Sequence, residues 1–163
     1  METKNKMIKT AKTCQIVAKV LYIVACVVCL TFIVLAIVLP TTNTVGELTK
    51  GEVAVLFSAL ALYAFVCVGL LWNVEGLFKS IVKEQSPFAQ PVGHYLKKIA
   101  IFVLILSTVP ALIGSMVMKA VCPNTEITFP IELGGIVVGV VLLVVGIFFK
   151  YGNELQQSND ETL

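Results

Sequence analysis

Twenty consecutive residues, Val20 to Leu39, carry no charge. At 1.5 Å per helical residue such a stretch is about 30 Å long, the thickness of a bilayer's hydrocarbon core. Fourteen of the twenty are Leu, Ile, Val or Phe, and each favours insertion by roughly 0.3 to 0.6 kcal/mol at a helix centre. Three more uncharged runs follow, Val53–Val74, Ile99–Met118 and Leu133–Phe149. A soluble domain of 163 residues has no interior large enough to hide all four. The chain is 58% hydrophobic and 13% charged, against roughly 45–50% and about 25% in soluble domains. The predicted fold class is all-α integral membrane, a single domain over 1–163 with four transmembrane helices in two hairpins. The basic start resembles a signal peptide, but the first run is too long and Leu39-Pro40-Thr41-Thr42 is no small-residue cleavage site. It reads as an uncleaved first helix.

Lysine distribution gives the orientation. All twelve basic residues are Lys. Five precede the first run (4, 6, 9, 12 and 19), four lie in the central segment 75–98 (79, 83, 97 and 98), and Lys150 opens the tail 150–163. Only Lys50 and Lys119 fall in the other two loops. Ten against two places both termini and the central segment in the cytoplasm by the positive-inside rule. A net charge of +2 and the lack of Arg argue against direct nucleic-acid recognition, which favours bidentate guanidinium contacts.

Within this frame several stretches carry a specific expectation. Ala54, Ser58 and Ala61 follow a small-residue spacing that lets another helix approach. Trp72 suits the membrane interface. Pro110, preceded by Ser107 and Thr108, predicts a kink whose freed carbonyl needs a partner. The fourth run is only about 25 Å long at helical rise, so Phe129 and Ile131 are expected to extend its outer end. Gly135, Gly139 and Gly146 form the best helix-packing face, serving a neighbour in the same chain or a second subunit equally well. Past the second run, Leu77, Phe78, Ile81 and Val82 alternate helically with Lys79, Lys83 and Glu84, predicting an amphipathic continuation. Ser86-Pro87 breaks it, Phe88 is left as an apolar anchor, and Pro91 suits the first turn of the next helix. Glu75 and Lys79 are spaced for an i,i+4 ion pair.

No stretch carries a catalytic constellation. Cys26-x-x-Cys29 has zinc-like spacing, but it lies in mid-membrane with no second pair and reads as small apolar packing. His94 stands alone in the central segment. No Asp or Glu falls in the middle of any run, where a small proton-coupled exporter would need one. Glu75, at the edge of the second run, is the candidate acid for a proton or cation site. The chain reads as non-enzymatic, with no cofactor and no metal.

Two short segments carry a family resemblance. One is Leu77-Phe78…Ile81…Ser86-Pro87-Phe88; the other is Gly152-Asn153-Glu154-Leu155-Gln156…Asp160-Glu161-Thr162-Leu163. With four hydrophobic helices and both termini inside, the chain resembles the bacterial membrane family known as domain of unknown function 2975. The resemblance implies a multi-pass protein of the bacterial cytoplasmic membrane without a defined activity. Genes of that family often neighbour one for a small Cro-like helix-turn-helix repressor, which implies a cytoplasmic regulator as partner. The expected function is therefore an interaction or regulatory protein whose partner-binding residues are Phe78, Pro87, Phe88 and Leu155. The alternative is a small oligomeric transporter or channel subunit, with Thr31, Ser58, Asn73, Ser107, Thr108 and Ser115 as the polar residues available for a path.

Overall fold

The computed structural model describes residues 2–41, 49–86, 90–124 and 129–160, with side chains described between 5 and 152. The described residues form four helices: α1 (Glu2–Val38), α2 (Lys50–Glu84), α3 (Gln90–Val121) and α4 (Leu133–Asp160). Each contains a stretch long and apolar enough to cross a membrane. The chain is thus an all-helical, multi-pass membrane protein.

Local chemistry sets the helix ends. Past α1, Pro40 follows a last turn in which Thr41 N–H donates to the Val38 carbonyl at 3.1 Å. A capping box opens α2: Glu52 N–H donates to Thr49 Oγ1 at 3.3 Å, and Thr49 N–H donates to Glu52 Oε2 at 2.7 Å. Two of the orphan donors of a helix start are satisfied in this way. The same helix stops at Gln85, which takes a left-handed conformation (φ 50°) just before Ser86. The amphipathic continuation expected after Val74 is therefore helical as far as Glu84. Similarly, α1 runs unbroken through the basic lead-in, and α3 starts nine residues before Ile99.

Packing joins only neighbours in the chain. α1 packs on α2, α2 on α3 and α3 on α4, and among the described residues no contact links any other pair. The helices form an open row. Each neighbouring pair is antiparallel, as the contacts show. Tyr22 meets Trp72 edge-on at 5.3 Å, while Phe32 meets Phe57 at 6.4 Å. Between these, Cys29 Sγ donates to the Ala61 carbonyl at 3.8 Å, while Ser58 of the expected small-residue face is exposed. Phe102 and Tyr95 of α3 press on Gly69 and Gly76 of α2, and Gly139 and Gly146 of α4 press on Leu104 and Lys97 of α3.

The two end helices bury little. Ile23, Val27, Leu30 and Val34 on α1, and Val137, Val141 and Val144 on α4, are all exposed. In water such surface would drive aggregation, whereas in lipid it is the ordinary outer face of a span. The antiparallel row also gathers the start of α1, the end of α2, the start of α3 and the end of α4 at one end. The ten lysines of the larger set all lie at that end.

Candidate functional site

At the lysine-rich end, Leu77, Val92 and Ile99 form a buried apolar cluster between α2 and α3. Val74, Phe78, Ile81, Tyr95, Leu96 and Phe149 pack around it. Phe78, expected at a partner surface, is half-buried in this internal cluster. Outside the cluster lies an exposed polar rim of Lys79, Lys83, Glu84, His94 and Lys98. The expected Glu75–Lys79 pair does not close; instead Lys83 and Glu84 meet at 3.9 Å with side chains 81% and 43% exposed. Solvent screening leaves such a pair little stabilising value. The half-buried Glu75 carboxylate lies in electrostatic range of the Tyr22 hydroxyl on α1. Pro87 and Phe88 lie outside the described residues. Leu155 falls within α4, but its side chain is likewise outside them.

The glycine stripe of α4 faces α3 of the same chain. A Cβ at Gly139 would lie 2.7 Å from Leu104 Cγ, and one at Gly146 would lie 3.3 Å from the Lys97 backbone nitrogen. A Cβ at Gly135 would collide with Ser107 Oγ. Sequence reading missed a second pair of close approaches, Gly69 under Phe102 and Gly76 under Tyr95, each with 2.5 Å from an added Cβ to the ring. The signal was present as a seven-residue spacing repeated on both helices, the register in which antiparallel helices keep one seam in contact.

One departure changes the chemistry available. Phe129 and Ile131 do not extend α4, which starts only at Leu133. The preceding segment runs alongside α3 in non-helical form, with Phe129 lying against Gly114. Two hydrogen bonds hold it there: Phe129 N–H donates to Ser115 Oγ at 3.1 Å, and Glu132 N–H donates to the Ser107 carbonyl at 3.3 Å. The physical reason is local. Pro130 has no N–H, and non-helical backbone at membrane depth has to find acceptors in its neighbours. Pro110 cannot donate to the Leu106 carbonyl one turn back; the Ser107 carbonyl that accepts from Glu132 is the next one along. Pro110 itself is fully buried, and α3 continues through it as helix.

This register sets the depth of Glu132. Ser107 is the ninth residue of the uncharged run Ile99–Met118. At helical rise it lies about 13 Å from Lys98 and about 18 Å from Lys119, at the middle of the span. Glu132 is bonded to it through its backbone N–H, so this acid lies level with the middle of α3's apolar run and at the start of α4's. It is supplied by the segment before α4 and not by any of the four apolar runs. Its side chain is exposed and, among the described residues, makes no hydrogen bond or ion pair. The Tyr63 hydroxyl of α2 lies in its electrostatic range. An acidic side chain at bilayer mid-depth costs roughly 2.5–3.5 kcal/mol on insertion scales. The N-terminus of α4 offsets only about 0.3–1 kcal/mol of that.

The other polar residues inside the spans are turned back on their own helices. Thr31 donates to Val27, Ser58 to Ala54, Asn73 to Gly69, Ser107 to Val103 and Thr108 to Leu104, each to a carbonyl one turn earlier. They satisfy themselves locally. The groove of about 400 Å³ between α1 and α2 presents only apolar surface.

No family model, no curated protein and no solved structure matches this chain.

Proposed function

We propose that the chain is a non-enzymatic protein of the bacterial cytoplasmic membrane, of the kind grouped as domain of unknown function 2975. In this reading both termini are cytoplasmic, and the helices form two in–out–in hairpins. Its cytoplasmic end docks a small regulator such as a helix-turn-helix protein. The observation that carries the reading is an asymmetry between the ends of the row. α1, α2 and α4 all continue as helix past their apolar runs, and all do so at the lysine-rich end. Lys79, Lys83, Glu84, His94 and Lys98 form an exposed rim there, around an apolar cluster that keeps the helices in register. Phe88 and Leu155 are the apolar contacts expected to reach the partner, with Pro87 directing the turn. The test is a photo-crosslinker at Phe88, with a second at the exposed Lys83, in native membranes. An adduct with a small cytoplasmic protein, together with altered transcripts after deletion of 153–163, is the expected result. Adducts with lipid or self alone, and unchanged transcripts, sink the proposal.

A second reading, a small oligomeric transporter or channel subunit, is favoured by the position of Glu132 beside the middle of α3. With the glycine stripe of α4 occupied by α3, an oligomer would use the exposed faces of α1 or α4. Cation flux in proteoliposomes that is lost in Glu132→Gln, and retained in Glu75→Gln, is the outcome that supports it.

A further inference from the structure

The groove between α1 and α2 is as long as one half of a bilayer is thick. It runs from Leu21 to Phe32 on α1 and from Leu71 to Leu60 on α2, a helical rise of about 17 Å on each. One leaflet of hydrocarbon is about 15 Å thick. Leu21 is the second residue of the first uncharged run, and Leu71 lies three residues before the end of the second. The groove therefore begins at the lysine-rich boundary and ends near the middle of the span. Aromatic pairs mark both ends, Tyr22 with Trp72 at the boundary and Phe32 with Phe57 at depth. Ala64 and Cys67, small residues in mid-groove, leave a hollow of about 400 Å³ with a wholly apolar lining. A slot of one-leaflet length that starts at headgroup level fits one acyl chain of a phospholipid.

Moving a tail from the bilayer into this slot has no hydrophobic drive, because lipid tails are as apolar as Leu. Packing contacts fill the slot, so selection among lipids falls to the groups at its mouth. On α2 the lining residues Leu60, Ala64, Cys67 and Leu71 follow helical spacing, and the next position of that stripe is Glu75. The contact of Tyr22 with Trp72 sets this turn of α2 at the boundary. Among the described residues the Glu75 side chain makes no hydrogen bond or ion pair, and the expected bond to Lys79 is not formed. Trp72, three residues before it, is exposed. A carboxylate and an indole at headgroup level attract a primary ammonium, by a charge-assisted hydrogen bond and a cation–π contact. The same carboxylate repels a headgroup that carries only negative charge. Lys19, two residues from Leu21 on α1, brings a positive charge to this level for the phosphate.

We propose that the α1–α2 groove is a lipid site, seating one acyl chain of a phosphatidylethanolamine from the leaflet at the lysine-rich end, with Glu75 and Trp72 receiving its ammonium group. The site rests on the membrane-spanning reading of the row. It requires neither transport nor the docking of a regulator.

The probe is phosphatidylethanolamine carrying a diazirine midway along one acyl chain, at trace level in phosphatidylglycerol bilayers that hold the full chain. Adducts are mapped by peptide mass spectrometry after photolysis. They are expected to concentrate several-fold on 21–32 and 60–71 over the exposed α4 face at Val137 and Val141, which reports ordinary surrounding lipid. Unlabelled phosphatidylethanolamine competes for the groove adducts, and added phosphatidylglycerol does not. Cys67→Leu, which fills the hollow, brings the groove adducts down to the α4 level. Glu75→Gln, at the mouth and outside the packing, keeps groove adducts but removes the preference between the two lipids; it carries the test if Cys67→Leu does not fold. Three results overturn the proposal. Equal labelling of α1, α2 and α4 makes the groove ordinary lipid-facing surface. Competition by phosphatidylglycerol as strong as by phosphatidylethanolamine hands selection to the lysines. Crosslinks from the groove to a second copy of the chain, with no lipid adducts there, make it a subunit interface. Maleimide labelling of Cys122 from outside reads the membrane-spanning assumption separately, whatever the groove holds.

Discussion

Two adjacent glycines at the start of α4 have opposite surroundings. A Cβ at Gly134 meets nothing within 4 Å, whereas one at Gly135 meets Ser107. Four residues on, Gly139 is also tightly packed, with both Leu104 Cγ and Cδ2 at 2.7 Å and the Ala100 carbonyl at 3.4 Å behind them. Overpacking a filled contact costs about 1–3 kcal/mol, while Gly to Ala in an open helical position gains up to about 1 kcal/mol. Gly139→Ala is therefore expected to destabilise the protein by about 1–3 kcal/mol, and Gly134→Ala to be neutral or slightly stabilising. Reversible unfolding in mixed micelles measures both. Equal effects at the two positions would mean that the stripe does not pack on α3. Sequence showed that Gly135, Gly139 and Gly146 share a face but left the neighbour open, because spacing fixes a face and says nothing of what lies across it.

At the scale of the element, α4 is the instructive helix. Its apolar run of seventeen residues from Leu133 to Phe149 invites lengthening by Phe129 and Ile131, since hydropathy counts residues and assumes that each run starts at a membrane surface. What sets its level is a pair of non-local hydrogen bonds, Phe129 to Ser115 and Glu132 to Ser107, and no local pattern encodes them. The first run was legible for the opposite reason. Twenty uncharged residues are enough by themselves to span the bilayer. The two serines of α3 also differ in what they do. Ser115 offers its hydroxyl as acceptor, whereas Ser107 offers its main-chain carbonyl, which survives any substitution. Ser115→Ala should leave the Phe129 N–H without a partner at a cost of about 1–3 kcal/mol. Ser107→Ala should cost less, about 0.5–1.5 kcal/mol for the bond of its hydroxyl to the Val103 carbonyl. The same unfolding measurement separates them, and a neutral Ser115→Ala would detach the segment before α4 from its register.

The whole molecule is a row of four antiparallel helices, and its sidedness follows from one geometrical fact. An even number of antiparallel spans brings the first and last helix ends to the same face, along with the α2–α3 connection. Lysine counting reaches the same grouping independently, since ten lysines fall on that face and only Lys50 and Lys119 on the other. The grouping follows from the row; the assignment of that face to the cytoplasm follows from the positive-inside rule alone. The chain carries its own reporters for that assignment. Cys14 lies in α1 at the lysine-rich end, and Cys122 lies just past α3 at the opposite end; both thiols are free and partly accessible. Cys26, Cys29 and Cys67 lie within the spans, where a charged maleimide does not reach. In intact spheroplasts a membrane-impermeant maleimide should therefore label Cys122 and leave Cys14 unmodified. Permeabilisation should expose Cys14. Cys122→Ser should remove the external signal, which rules out contamination from broken cells. Labelling of Cys14 before permeabilisation would invert the protein in its membrane. The rim of Lys79, Lys83, His94 and Lys98 would then face the outside, and no cytoplasmic regulator could meet it.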